Sequence, residues 1–173
     1  MSPEQEQSFD EFVAGRFTSL RRTGYLLCGD WHLAEDLVQT TLVKLYAHWH
    51  RLRDPEAAAG YARTTLVRSY IDNRRLRRSH EVPAAELPEA PGTGTAAAAA
   101  ADPERRLALL AALAEVTPAY RAALVLRFWE DQTIEATAAV LRQSTGTVKS
   151  NTSRGLAQLR TILGDSLLEI AAG

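Results

Sequence analysis

Apolar residues recur along this chain at intervals of three and four, and no stretch alternates as a half-buried strand would. Phe9, Phe12, Val13, Phe17, Leu20 and Tyr25 follow helical spacing over residues 4–28, with Gly24 a weak point and Gly29 the stop. The clearest stripe comes next. Leu37, Val38, Leu42, Leu45 and Trp49 share one face of a helix running from Leu33 to Trp49, and Asp30 is placed to cap its start. Asp54-Pro55 opens a third helix, with aspartate as N-cap and proline at the first helical position. It carries Tyr61, Leu66, Val67, Tyr70 and Ile71. Three such helices make a bundle of a size that folds alone.

The pattern stops at Glu81. Residues Val82 to Ala101 hold three prolines, two glycines and six consecutive alanines, with hardly a bulky apolar side chain. Such a stretch buries too little surface to offset the entropy of ordering, so it reads as a tether. Helical spacing resumes after Asp102-Pro103, first at Leu107, Leu110 and Leu113, then, past Thr117-Pro118, at Leu124, Val125 and Phe128. Thr133 is placed to cap a short helix with Ile134, Ala138 and Leu141 inward, and Ser144 a last helix ending near Leu163. Two helices joined by so short a connection, Arg142 to Thr145, match a helix-turn-helix. The expected fold is all-α: two small helical domains, residues 1–80 and 103–173, joined by a flexible linker at 81–102, the second domain with a helix-turn-helix.

Composition removes several classes of function. Of 79 apolar residues 29 are alanine, which leaves 50 to fill cores; that suits two small cores better than one large one. No apolar run is long enough to span a membrane, and the N-terminus has neither the basic start nor the apolar stretch of a secretory signal, so the expected location is cytoplasmic. A single cysteine, Cys28, excludes an internal disulfide and a cysteine zinc cage. Neither Cys28 with His32 nor His48 with His50 has a third ligand beside it, so no metal is expected. With no glycine-rich phosphate loop and no nucleophile–base spacing, the chain is expected to be neither an enzyme nor a cofactor binder.

Charge adds more by its position than by its sum of −1. Residues 61–80 carry six arginines (Arg63, Arg68, Arg74, Arg75, Arg77, Arg78) against one acid, Asp72. Residues 142–160 carry Arg142, Lys149, Arg154 and Arg160 and no acid at all. Two basic stretches in a neutral to acidic chain point to two contacts with a polyanion. In the last helix Val148, Thr152, Leu156, Leu159 and Leu163 are spaced to face the core. Thr147, Ser150, Asn151, Arg154 and Gln158 are spaced to face outward, with Lys149 and Ser153 on the flanks. Short hydrogen-bonding side chains and cations without an acid suit base edges and phosphates in a major groove. On the residues alone, a stand-alone helix-turn-helix regulator with an N-terminal interaction domain and a helical adaptor that binds no DNA both stay open.

The stretch Thr145-Gly-Thr-Val-Lys-Ser-Asn-Thr-Ser-Arg-Gly-Leu-Ala-Gln-Leu-Arg160 resembles the recognition helix of bacterial RNA polymerase sigma factors, in particular the extracytoplasmic-function group and an actinobacterial subfamily of it. Ala34-Glu-Asp-Leu-Val-Gln-Thr-Thr-Leu42 is similar to that family's polymerase-binding helix. The resemblance covers most of residues 8–163. It implies that Asp36, Gln39, Thr40 and Lys44 meet the clamp helices of the largest subunit of core RNA polymerase, where the family often has Glu in place of Thr40. It implies that the third helix binds the minus-ten promoter element, with Tyr61, Arg63, Thr64 and Arg68 shaping a base pocket and Arg74, Arg75, Arg77 and Arg78 holding the backbone. It implies that Thr147, Lys149, Ser150, Asn151, Ser153, Arg154 and Gln158 meet the minus-thirty-five element. Promoter DNA and core polymerase are the implied partners, and an anti-sigma factor is one that the resemblance allows. The turn departs from the family, which usually has Gly where this chain has Arg142; Gly serves there because the left-handed conformation is cheap for it.

Overall fold

The computed structural model describes residues 2–52, 54–79 and 103–164, the side chains of Arg78 and Ser79 excepted. The expected linker at 81–102 lies outside the described residues. The chain divides into two compact units, residues 1–87 and 88–173, and the described residues are helices and turns with no strand.

Unit 1 is a three-helix bundle: α1 (Pro3–Cys28), α2 (Trp31–His48) and α3 (Pro55–Ser79). Each start is written in the sequence. Ser2 and Gln5 form a reciprocal capping box on α1, Asp30 accepts from the Leu33 amide at 2.9 Å, and Asp54 accepts from the Ala57 amide at 2.7 Å. Gly29 ends α1 at φ 73°, in the left-handed region. Gly24, the expected weak point, lies inside a continuous helix, where a Cβ would sit 3.3 Å from the Ala34 Cβ. It is there because α1 and α2 cross closely. The core comprises Leu20 and Leu27 from α1, Ala34, Leu37, Val38 and Leu45 from α2, and Ala62, Leu66, Val67 and Tyr70 from α3. Burying each large aliphatic side chain contributes about 1.5–3 kcal/mol. Thr41 joins this core because its hydroxyl donates to the Leu37 carbonyl at 2.7 Å, whereas Leu42 is only half-buried. Phe9 and Phe12 pack against Trp49, with ring centroids 5.2 and 5.3 Å apart, and close one end. Tyr25 stacks on Trp31 at 4.1 Å; its burial, with smaller pushes from Cys28 and Asp30, raises the phenol above its ordinary range.

Unit 2 holds α4 (Pro103–Glu115), α5 (Pro118–Leu124), α6 (Ile134–Leu141) and α7 (Thr145–Leu163). Buried Arg121 donates to the carbonyls of Ala114 and Val116 and thereby satisfies the C-terminus of α4. Between α5 and α6 the chain makes a π turn, Val125–Trp129, closed by the Glu130 amide on the Val125 carbonyl at 3.0 Å. That turn overturns the expectation that Phe128 faces the core. One extra residue in the turn rotates Phe128 outward, 61% exposed, while Leu126 becomes fully buried. Leu107, also expected to face inward, is exposed near the start of α4; the buried residues are Ala112, later in the helix, and Val116, just past its end.

Thr133 and Ser144 cap α6 and α7 as their positions predict, accepting from the amides of Ala136 and Thr147. Thr117 does not use its hydroxyl on its own helix; Gln158 takes it. Arg142 occupies the turn at φ 54°, ψ 46°, the conformation that favours glycine. α7 packs on α5 at Gly155, where a Cβ would lie 2.9 Å from Leu124 Cδ1 and 3.2 Å from Tyr120 Cβ.

Two stability changes follow from this geometry. Gly155→Ala loses about 1–3 kcal/mol by overpacking the α5–α7 contact. Arg142→Gly gains about 0.5–1 kcal/mol, because relief of the left-handed strain exceeds the larger entropy that glycine loses on folding. Urea unfolding of the two variants against the parent chain measures both.

Candidate nucleic-acid interface and partner surface

The outer side of α7 separates into groups that are free to meet DNA and groups already committed to the fold. Thr147, Lys149, Ser153 and Arg154 are exposed and Ser150 is half-buried. Asn151, expected to face outward, is 7% exposed and its Nδ2 donates to Gln143 Oε1 at 3.3 Å. It shares the inner face with Val148 and Gly155, three residues before and four after. Gln158, also expected outward, is half-buried and makes two bonds to one residue. Its Oε1 accepts from the Thr117 amide at 2.9 Å, and its Nε2 donates to the Thr117 hydroxyl at 3.0 Å. Both side chains therefore brace the domain. Thr147 keeps its exposure, but its hydroxyl lies 2.9 Å from that of Ser144.

Thr152 and Leu156, expected in the core, line an open depression instead, together with Arg127, Ile134, Lys149, Ser153 and Arg160. Three cations and no acid surround it. Arg160 was legible in the acid-free stretch, but Arg127 was not. The π turn brings it beside α7 and ties its guanidinium to the Gln132 carbonyl.

On α3 the expected contacts divide between faces. Tyr61, Thr64, Arg68 and Arg75 recur at intervals of three, four and seven and so share one face; Arg63 and Arg74 point elsewhere by the same arithmetic. Arg75 and Arg77 are exposed and Arg74 lies over the Tyr70 ring, 6.0 Å from its centroid. Tyr70 itself is core, 3% exposed. The Arg78 side chain lies outside the described residues. Tyr61 is half-buried, with its hydroxyl 3.1 Å from His48 Nδ1.

On α2 the structure brings Asp36, Gln39, Thr40 and Lys44 together around one shallow depression, all four exposed. Lys44 is partly anchored, its Nζ donating to the Ser69 hydroxyl of α3 at 3.3 Å. The same depression is lined by Val43, 71% exposed, an apolar group among polar ones. Sequence reasoning did not single out Val43, which lies one position past Leu42 of the apolar stripe. An exposed apolar side chain among polar ones is the kind of feature that marks interaction surfaces. Among the described residues no group of three or more His, Cys, Asp or Glu could hold a metal, and no helix is long and apolar enough to cross a membrane.

Comparison with known proteins accounts for both units. The model of Sigma-70 region 2 matches residues 17–80, which contain α2 and α3, and that of Sigma-70 region 4 matches residues 106–159, which contain the helix-turn-helix. An RNA polymerase sigma-E factor of Streptomyces coelicolor is 38% identical over 152 residues, 88% of this chain and 84% of that protein. Its counterpart from Streptomyces avermitilis is 37% identical over 164 residues, 95% and 89% of the two chains. Among solved structures, the sigma factor RpoE from Bartonella quintana, crystallised with the anti-sigma factor NepR, shares the fold with a TM-score of 0.69. It is 24% identical, over 91% of this chain and 97% of that one. With relatives matched over more than four-fifths of their own length, and with the two regions in order on two helical units, the chain belongs to the sigma-70 family of RNA polymerase sigma factors, in its extracytoplasmic-function group.

Proposed function

We propose that this chain does its family's work, binding core RNA polymerase, directing it to specific promoters and helping to open them, through three separate surfaces. The depression on α2 formed by Asp36, Gln39, Thr40, Val43 and Lys44 docks on the clamp helices of the largest subunit. Tyr61, Thr64, Arg68 and the arginines at the end of α3 take the minus-ten element. The outer face of α7, with Thr147, Lys149, Ser150, Ser153 and Arg154, reads the minus-thirty-five element as duplex. Asn151 and Gln158 support that face from behind.

One observation carries the reading: the segment matched by Sigma-70 region 2 presents a polar, exposed, concave face on α2 in addition to its basic helix. A stand-alone regulator needs the basic helices but has no use for that face. The chain itself performs no chemical step. Binding free energy opens the DNA, and the polymerase makes the RNA, so the place of action is the cytoplasm.

The reading is tested by adding the chain to core polymerase and selecting transcribed templates from a randomised promoter library. Recovery of a two-part element used only in the presence of the chain is expected; failure of core polymerase to retain the chain overturns the proposal. Asp36→Ala and Gln39→Ala weaken retention and leave unfolding unchanged, because both side chains are exposed and neither supports the core. Base reading and backbone holding separate in the same assay. Arg154→Ala costs about 1–3 kcal/mol and relaxes preference at one upstream position, as loss of an arginine–guanine pair does. Alanine at both Arg75 and Arg77 weakens all promoters alike and lowers the salt slope by about two phosphate contacts.

A further inference from the structure

The corner of unit 1 that presents Tyr61 carries a second ring, donated by a different helix. His48 is the last residue of α2, and Tyr61 lies in the second turn of α3, thirteen positions on. Their ring centroids are 5.4 Å apart with the planes inclined at 34°. His48 Nδ1 lies 2.9 Å from the Lys44 carbonyl and 3.1 Å from the Tyr61 hydroxyl oxygen. A carbonyl can only accept, so the proton belongs on Nδ1, whose N–H closes the end of α2 and fixes the plane of the imidazole. The Tyr61 O–H proton and His48 Nε2 then remain at the edge of a ring pair whose histidine is exposed.

What leads away from the pair decides what it suits. Thr64, Arg68 and Arg75 continue the face of Tyr61 along α3, a hydroxyl followed by two cations. Asp72, the one carboxylate on this side, lies between the arginines. An aromatic head on a cationic track matches a single strand, whose bases expose faces for stacking; a duplex hides those faces against its neighbours.

We infer that His48 and Tyr61 form a two-ring platform on which one unpaired base of the opened promoter strand stacks, while Thr64, Arg68 and Arg75 carry the adjoining backbone. This rests on the proposed reading of unit 1 as the minus-ten domain, and it adds His48 to that site. The histidine contributes its ring face, and its bond to Lys44 holds that face in place before DNA arrives.

The test uses the full chain bound to core polymerase. Its probes are a single-stranded oligonucleotide carrying the minus-ten sequence recovered in the selection, and an upstream duplex carrying only the minus-thirty-five element. His48→Ala is expected to weaken the single strand roughly fivefold or more, the lower end of the effect of losing one stacking ring. His48→Phe, which keeps a ring and loses the hydrogen bonds, is expected to stay within about twofold of the parent. Neither change alters the upstream duplex. The inference is overturned if His48→Ala binds the single strand as the parent does, if His48→Phe loses as much as His48→Ala, or if both probes weaken together. Should Tyr61→Ala and Arg68→Ala weaken the single strand while His48→Ala does not, only this inference falls. Should the parent complex bind the oligonucleotide no better than core polymerase alone, the reading of unit 1 falls with it.

Discussion

A methyl group on residue 155 would lie 2.9 Å from a Leu124 methyl, and one on residue 24 would lie 3.3 Å from the Ala34 Cβ. In both units, therefore, a pair of helices crosses closely at a glycine, most tightly at Gly155. Where the facing residue is small, as Ala34 is opposite Gly24, packing energy is gained only when the backbones approach. The functional surfaces depend on this approach. Gly24 against Ala34 seats α2 so that Leu37 and Val38 face in and Asp36, Gln39 and Thr40 face out. Gly155 seats α7 so that Val148 is buried and Arg154 is open.

Polar side chains in this protein divide into those that hold the fold and those left for partners, and the division follows hydrogen-bond supply. Unit 2 has short helices with many unsatisfied ends. Arg121 closes α4, Gln158 serves the start of α5, Thr133 and Ser144 open α6 and α7, and Asn151 reaches back to the turn at Gln143. What remains on α7 after those demands is Thr147, Lys149, Ser150, Ser153 and Arg154, a smaller and more cationic face than spacing alone predicts. In unit 1 the helices are longer and their ends fewer. The Arg21–Glu35 ion pair at 2.7 Å is surface-exposed and contributes at most about 1 kcal/mol; packing, not charge, holds that bundle.

Arg142 carries a strained backbone and an exposed charge at one position. Its backbone adopts the left-handed conformation of the turn at a strain that glycine would not carry. Its exposed cation stands next to α7, a helix without an acid.

Much of this was legible in the residues because it is local. A cap binds an amide three positions ahead, a stripe repeats every three or four, and a left-handed stop favours a glycine at its own position. The starts of α1, α2, α3, α6 and α7, the end of α1 at Gly29, the all-helical fold and the two basic stretches all come from such short-range rules, and the family resemblance rests on contiguous runs. Tertiary structure alone decided the rest. Asn151 and Gln158 carry outward spacing, but their partners, Gln143 and Thr117, lie 8 and 41 positions away, and pairing turned both inward. Phe128 carries core spacing, but a π turn breaks the 3.6-residue period on which that reading depends. Arg127 joins Lys149 and Arg160, and His48 joins Tyr61, only when separate helices meet. A sequence pattern specifies which way a side chain points from its own helix; what stands opposite it depends on where the other helices pack.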